Sequence, residues 1–156
     1  MTIPPTIVEY FEEKRIPCSI VPHPHSHTSM ESAHAAHISG EKVAKGVLLA
    51  DPVGYVLAVV PATHDLQLPM IENHLGTHLK IAPEENLVDA FEDCVPGAVP
   101  AVGCAYYIRT VVDPVLTKLP EVYFESGDHE DLIHVSGKDF GALMADAEFA
   151  HISKHR

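Results

Sequence analysis

The sequence predicts an α+β domain, with a single curved, mostly antiparallel or mixed β-sheet flanked by helices. Three observations carry this. Two nearly unbroken apolar runs, Val43 to Ala50 and Tyr55 to Ala62, flank the turn residues Asp51-Pro52-Val53-Gly54, which is the pattern of a hairpin in the middle of a sheet. Helical and strand-like segments are mixed along the chain without the strict βαβ alternation of a parallel fold. The length of 156 residues, at 46% hydrophobic and 21% charged, suits one domain with a buried core. No repeat, low-complexity tract or long linker interrupts it, so residues 1–156 are read as a single domain.

The elements follow in order. Thr6 to Arg15 places Ile7, Val8 and Phe11 on one helical face with Glu9, Glu12 and Glu13 outside. Thr6 and Glu9 have the spacing of a capping box. Cys18 to Pro22 reads as a short strand. Met30 to Ile38 reads as an alanine-rich helix ended by Gly40. After the hairpin, Asp65 to Leu75 is a helix with Pro69 in its first turn and Gly76 just past its end. Pro83 to Phe91 fits another short helix. Pro96, Gly97, Pro100 and Gly103 make the stretch from Cys94 to Gly103 a loop. Strands are expected near Tyr106 to Val112, Val122 to Glu125 and Leu132 to Val135, then a helix at Asp139 to Ala145 and a last strand at Phe149 to Ile152.

Composition excludes several functional classes. No apolar run is long enough to cross a bilayer. The N-terminus, Met-Thr-Ile-Pro-Pro, lacks the basic and apolar regions of a secretory signal, so the expected location is cytoplasmic, with no membrane partner. Cys18, Cys94 and Cys104 form neither a disulfide framework nor a cysteine zinc site. Their apolar neighbours suggest small core residues. Cys104 follows the glycine-rich loop, but a reactive thiol would need an electropositive setting. The formal charge is -12, with only 10 Lys plus Arg, which argues against DNA and against broad binding to nucleic acid. Any nucleic-acid partner must be held by a few local contacts or delivered by another protein. Protonating all 12 histidines would cancel that charge, so solubility is expected to fall as pH drops through roughly 6.5.

Four places break the apolar pattern. Lys45 shares a strand face with Val43, Val47 and Leu49. It is either a lysine snorkelling from an edge strand or a cation at the floor of a pocket, with Gly46 letting a ligand approach the backbone. The loop Gly97 to Gly103 is either a long ordered turn or a set of N–H groups for an oxyanion or phosphate. Glu125-Ser126-Gly127-Asp128-His129-Glu130 is either hairpin punctuation or part of an active site. Ser126 lacks the G-x-S-x-G setting of a serine nucleophile. His23, His25, His27, His34 and His37 either lie solvated in a loop and short helix or bind Zn, Ni or Cu. No carboxylate or cysteine completes a recognised metal pattern.

These places fall together in one pattern. His23-Pro24, Thr28, Ala33, Ala36, Gly40, Val43-Ala44-Lys45 and Leu48-Leu49 resemble the first motif of the YbaK/EbsC-type aminoacyl-tRNA deacylases, the prolyl-tRNA-synthetase-associated editing family. Tyr55 to Ala62 is similar to its second strand, and Leu79 to Phe91 to the segment that follows. Gly97 to Gly103 resembles its Gly-x-x-Pro-Pro-Phe-Gly-type loop. Glu121 to Phe140 resembles its closing strands and helix. The similarity spans about residues 5 to 145, and the order and spacing of five blocks make it specific.

The resemblance implies a barrel-like sheet flanked by helices, and a trans-editing deacylase that hydrolyses the ester of a mischarged tRNA. It implies a small amino acid on tRNA-Pro or a similar tRNA. Lys45 matches the family's signature pocket residue. The resemblance brings His23 and Thr28, Gly97, Ala98, Val99 and Gly103, and Gly127, Asp128 and His129 to the same substrate site. Asp128 or His129 would assist a water activated by the substrate's own neighbouring hydroxyl. It implies no cofactor, metal or covalent nucleophile. The implied partners are the aminoacyl-tRNA 3′ end and an aminoacyl-tRNA synthetase or elongation factor that delivers it. Ala101-Val102-Gly103 departs from the family's Pro-Phe-Gly, a change expected to reshape one pocket wall and so to bear on amino-acid specificity. Two other readings stand beside this one: a non-catalytic module that binds a nucleotide or aminoacyl ligand and regulates a partner, and a histidine-rich metal-binding protein.

Overall fold

The computed structural model describes residues 3–26 and 28–156. The order of elements is α1 (Pro5–Lys14), β1 (Ser19–Pro22), α2 (Ser29–Ala35), β2 (Val43–Ala50), β3 (Tyr55–Pro61), β4 (His64–Leu66), α3 (Leu68–Leu75), β5 (Lys80–Ile81), α4 (Glu84–Ala90), β6 (Arg109–Val112), β7 (Glu121–Glu125), β8 (Asp131–Ser136), α5 (Gly137–Leu143), β9 (Glu148–Phe149) and β10 (Ser153–His155). This is the α+β class that the sequence predicts. The main sheet is mixed and runs β1-β8-β7-β2-β3-β6-β9, with β5 on the side of β2, while β10 and β4 form a separate pair.

The apolar hairpin lies at the centre. β2 and β3 pair antiparallel from Ala44↔Pro61 to Ala50↔Tyr55. Asp51 closes the turn by accepting from the N–H groups of Val53 and Gly54 at 2.8 Å. The other side of β2 is shared. β7 runs parallel to it only at Val43↔Tyr123 and Ala44↔Phe124, and β5 pairs with it only at Leu49 and Ala50. Between these contacts the sheet splits. β2 lies between β7 and β3 rather than at the outer edge of the sheet, and the split leaves Lys45, opposite Val60 of β3, without a strand partner on the β7 side.

The two faces of β2 bury different clusters. Ala44 and Leu48 join the main core with Phe11, Phe91, Phe124 and Phe140. Leu49 and Val60 pack with Ile71 and Ile152. Val43 packs with Ala33 and Ala62. Lys45 interrupts this second, otherwise apolar face.

Local chemistry shifts several boundaries. Thr6 caps nothing with its side chain; Pro4 precedes α1, Pro5 opens it, and Arg15 ends it in the left-handed conformation. The Thr6 N–H instead donates to Asp93 Oδ2 at 2.9 Å. Gly40 does not end α2 but opens a 3-10 turn, Gly40–Lys42, capped by Ser39. The first residues of the expected helix at 65–75 pair with β10 as β4, and α3 starts at Leu68. Gly76 does close α3, at φ 70. Ser136 accepts from Asp139 N–H and starts α5 two residues before the sequence suggests. Residues 103–106 form a 3-10 turn, so β6 begins at Arg109. Cys18 is exposed, unlike the core residue expected, whereas Cys94 and Cys104 are half-buried against the main core.

Candidate functional site

A cavity of about 190 Å³ opens where β2 and β7 part, lined by Thr28, Ser29, Lys45, Gly46, Gly97, Ala98, Val99, Glu125 and His129. Four chain segments reach it, each for its own reason. Thr28 is the N-cap of α2, its hydroxyl accepting from Glu31 N–H at 3.0 Å. Lys45 and Gly46 lie on β2 beyond its last pairing with β7. A Cβ on Gly46 would meet Val99 Cγ1 at 3.0 Å and Leu57 Cδ1 at 3.1 Å, so glycine lets the 97–103 loop press on the strand.

That loop is fastened to the 125–130 turn. Val95 N–H donates to Gly127 O at 2.7 Å, and His129 Nε2–H donates to Pro96 O at 3.2 Å. Gly97 holds φ 86 and Gly127 φ 119, conformations that suit glycine. The turn itself is organised by Glu125. Its Oε1 accepts from the N–H groups of Gly127 and Asp128 at 3.1 Å and of His129 at 2.7 Å.

Electrostatics single out Lys45. Burial, with the Arg156 guanidinium nearby, lowers its ammonium below the ordinary lysine range, while Asp65 acts in the opposite direction. No hydrogen bond or ion pair joins Lys45 to a partner among the described residues. The backbone N–H groups of Gly97 and Val99 also donate to no acceptor among the described residues, whereas that of Ala98 is taken by Val95 O.

Four of the expected residues lie outside the cavity wall. The His23 ring is buried, with Nδ1–H donating to Pro24 O at 2.7 Å and Nε2 lacking a partner among the described residues. Gly103 is buried beneath Leu57 and Thr110. Gly127 backs onto Pro4 and Cys94. Asp128 turns inward, its Oδ1 accepting from Ser126 Oγ and from the N–H groups of Glu130 and Asp131 at 2.8–2.9 Å. Ala101 and Val102 are fully buried in the main core, so their departure from the family loop does not alter the cavity wall directly.

A larger cleft of about 570 Å³ lies between α1 and residues 104–109. Its cations and the Tyr10 hydroxyl are already engaged. Tyr10 donates to Leu143 O, Lys14 pairs with Asp146, and Arg109 holds Glu148 with two contacts of 2.6 and 3.0 Å. Burial raises the Cys104 thiol, so it is not an activated nucleophile. The smaller cavity instead gathers a cation, a carboxylate, an imidazole and uncommitted N–H groups, and it is the candidate site. Of the histidine group, His25, His34 and His37 are exposed and His27 lies outside the described residues. No group of three or more potential ligands that could hold a metal exists among the described residues.

The family model for the aminoacyl-tRNA editing domain matches residues 23–143. The chain belongs to that family. The matched region contains every residue of the cavity wall, whereas β10 and Arg156 lie beyond it. A candidate trans-editing enzyme for prolyl-tRNA synthetase aligns with a TM-score of 0.83 at 22% identity, covering 98% of this chain and 99% of that one. The hypothetical protein APE2540 aligns with a TM-score of 0.83 at 20% identity, covering 96% and 99%. A candidate signal transduction protein from Marinobacter aquaeolei VT8 aligns with a TM-score of 0.78 at 20% identity, but this chain covers only 31% of it. At these identities the likeness establishes the shared fold. No curated protein sequence matches the chain significantly. Among the described residues, no helix of this editing domain is long and apolar enough to cross a membrane.

Ser29, Gly46 and Glu125 line the cavity but are missing from the sequence-based substrate site, and Glu125 is the charged one of the three. The signal was present: in Val122-Tyr123-Phe124-Glu125, alternation puts Glu125 on the face opposite the buried Val122 and Phe124. It sits immediately before the glycine turn already singled out.

Proposed function

We propose that this editing domain is a trans-acting deacylase that hydrolyses the ester of a mischarged tRNA carrying a small amino acid, on tRNA-Pro or a similar tRNA. The observation that carries the reading is the cavity itself, where Lys45 and the N–H groups of Gly97 and Val99 lie side by side and have no partners among the described residues. A volume of about 190 Å³ is below the roughly 300–1,000 Å³ of pockets that enclose a drug-sized ligand. It suits an aminoacyl head, with the terminal adenosine left outside.

The chemistry asks little of the protein. An aminoacyl ester is already activated, so positioning and oxyanion stabilisation supply most of the catalysis. Water adds to the carbonyl carbon, whose oxygen becomes the oxyanion held by the N–H groups of Gly97 and Val99. The ester C–O bond then breaks, and the ribose oxygen leaves with the proton lost by the water, relayed through the neighbouring ribose hydroxyl. Lys45 binds the terminal phosphate or ribose end. His129, through its bond to Pro96, holds the loop in register. A synthetase or elongation factor would deliver the charged tRNA.

A deacylation screen tests this with alanine, serine, threonine and cysteine on tRNA-Pro, beside correctly charged controls and Lys45→Ala. Release from one or a few pairs is expected, falling by about 100-fold or more in the variant with its melting temperature within about 2 °C of the parent. No release from any pair by folded protein would instead favour the non-catalytic binding module.

A further inference from the structure

We propose that Glu125 reads the α-ammonium of the aminoacyl group, so that the site acts on esters with a free α-amine. The inference rests on the deacylase reading and names what that site recognises.

The register supplies the first part of the argument. β2 and β7 pair at Val43↔Tyr123 and Ala44↔Phe124, so the next rung would set Lys45 against Glu125. The strands part there, and both residues line the cavity. Opposite charges on one rung would ordinarily close into an ion pair, yet no ion pair between them exists among the described residues. A cation and a carboxylate held apart across a small cavity match a ligand that is negative at one end and positive at the other. The 3′ end of an aminoacyl-tRNA has those charges, phosphate and α-ammonium, on either side of its ester.

The carboxylate's own bonding supplies the second part. Oε1 is committed to three backbone N–H groups at 2.7–3.1 Å, which fixes the orientation of the group. Oε2 accepts no bond among the described residues. An oriented, uncommitted carboxylate oxygen on a residue that lines a cavity calls for a donor from the ligand. A cation is the donor that gains most, because hydrogen bonds between charged partners are about twice as strong as neutral ones. A metal ion would need further ligands, and no such cluster exists among the described residues. An ammonium needs only this oxygen and water.

The test compares two substrates that differ in charge but hardly in size: alanyl-tRNA and the lactyl-tRNA made from it by deamination, in which a hydroxyl replaces the ammonium. Glu125→Gln keeps an oxygen for the three N–H groups and replaces Oε2 with an amide. The variant is expected to lose about 10- to 100-fold in kcat/KM on alanyl-tRNA, as removal of a charged hydrogen bond would cause. Its kcat/KM on lactyl-tRNA should stay within about threefold of the parent. An equal loss on both substrates would overturn the proposal and make Glu125 a general base or a scaffold of the turn. If Glu125→Gln is poorly folded, the parent enzyme gives a second readout. Its preference for alanyl over lactyl, corrected for the uncatalysed rates, should fall as pH rises past about 7.7, where an α-amine loses its proton. A flat ratio would also overturn the proposal. Absence of any Lys45-dependent deacylation would instead refute the underlying deacylase reading.

Discussion

At the scale of single residues, the chain sets charged groups against apolar surroundings and lets neighbours decide their state. Asp128 and Asp131 show this outside the cavity. Burial first, then the nearby Asp128 carboxyl, pushes Asp131 up to about 6. Asp128 moves the other way: burial opposes ionisation, but the hydrogen bond from Asp131 and those from the turn's N–H groups carry it below the usual range. Asp128 Oδ2 is buried and has no hydrogen-bond partner among the described residues, so it is available to a proton carried by Asp131. The two titrate as a pair. For Asp131 the folded value lies above the unfolded one, near 3.9. Its contribution to stability is therefore complete below about pH 4 and is lost as pH rises through about 6. Asp131→Asn replaces the proton by a permanent N–H donor. The variant is expected to melt higher than the parent at pH 7.5, by about 2–4 °C for each kcal/mol recovered. That gain should shrink as pH falls from 6 to 4. Thermal melts across this range check it, and a constant difference at every pH would show that the two carboxyls do not share a proton.

Lys45 marks how far residue-level reading could go. A lysine within an apolar strand is anomalous on composition alone, and that anomaly was legible. Its pairing was not. Whether the strand is central or an edge depends on β7 and β5, which lie more than 30 residues away in the chain. Glu125 was hidden for the same reason, because its importance depends on the cavity it lines together with Lys45 where β2 and β7 part. Asp128 was misplaced since an aspartate in a glycine turn looks the same whether it faces a ligand or caps its own backbone.

At the scale of elements, the apolar hairpin, the long loop and the glycine stop of α3 were read from local chemistry because local chemistry decides them. The elements missed, β4, β5 and β10, are two or three residues long and exist only through pairing with distant strands. The capping box at Thr6 failed because Asp93, 87 residues away, takes the N–H group that such a box would leave for a cap. The most consequential contact between elements is that of Gly46 with the 97–103 loop. With Val99 Cγ1 and Leu57 Cδ1 at 3.0–3.1 Å from a built Cβ, both neighbours are side chains that can yield by a few tenths of an ångström. Gly46→Ala should therefore fold, at a cost of about 1–3 kcal/mol, while displacing Val99 and the N–H groups beside it. Deacylation should drop by about 10- to 100-fold, since small misplacements near reacting atoms are costly. Steady-state kinetics with a parallel melt check this. Unchanged kcat/KM would mean that the loop's N–H groups do not hold the oxyanion.

At the scale of the whole molecule, the acidic surface must be reconciled with a polyanionic substrate. The chain carries -12 overall, and several cations are already spent internally: Lys42 on Glu121 at 3.0 Å, Arg109 on Glu148 at 2.6 Å and Arg156 on Asp65 at 2.8 Å. These pairs are substantially exposed, so they add little stability, but they reduce the positive charge available to phosphates. Lys45 is the cation that remains in the cavity, and the body of a tRNA meets net repulsion. A protein gripping only the last one to three phosphates of a single-stranded 3′ end releases few counterions. The slope of log affinity against log salt should then be small, with magnitude about 1–2 at roughly 0.7 per phosphate. Binding of a charged tRNA, measured between 50 and 200 mM salt, checks this. A slope near 5 or more would mean that many phosphates are contacted by lysines and arginines outside the cavity. A shallow slope with weak affinity would fit the proposed delivery of the substrate by another protein, leaving recognition to the charge pattern of the cavity rather than to attraction over the whole surface.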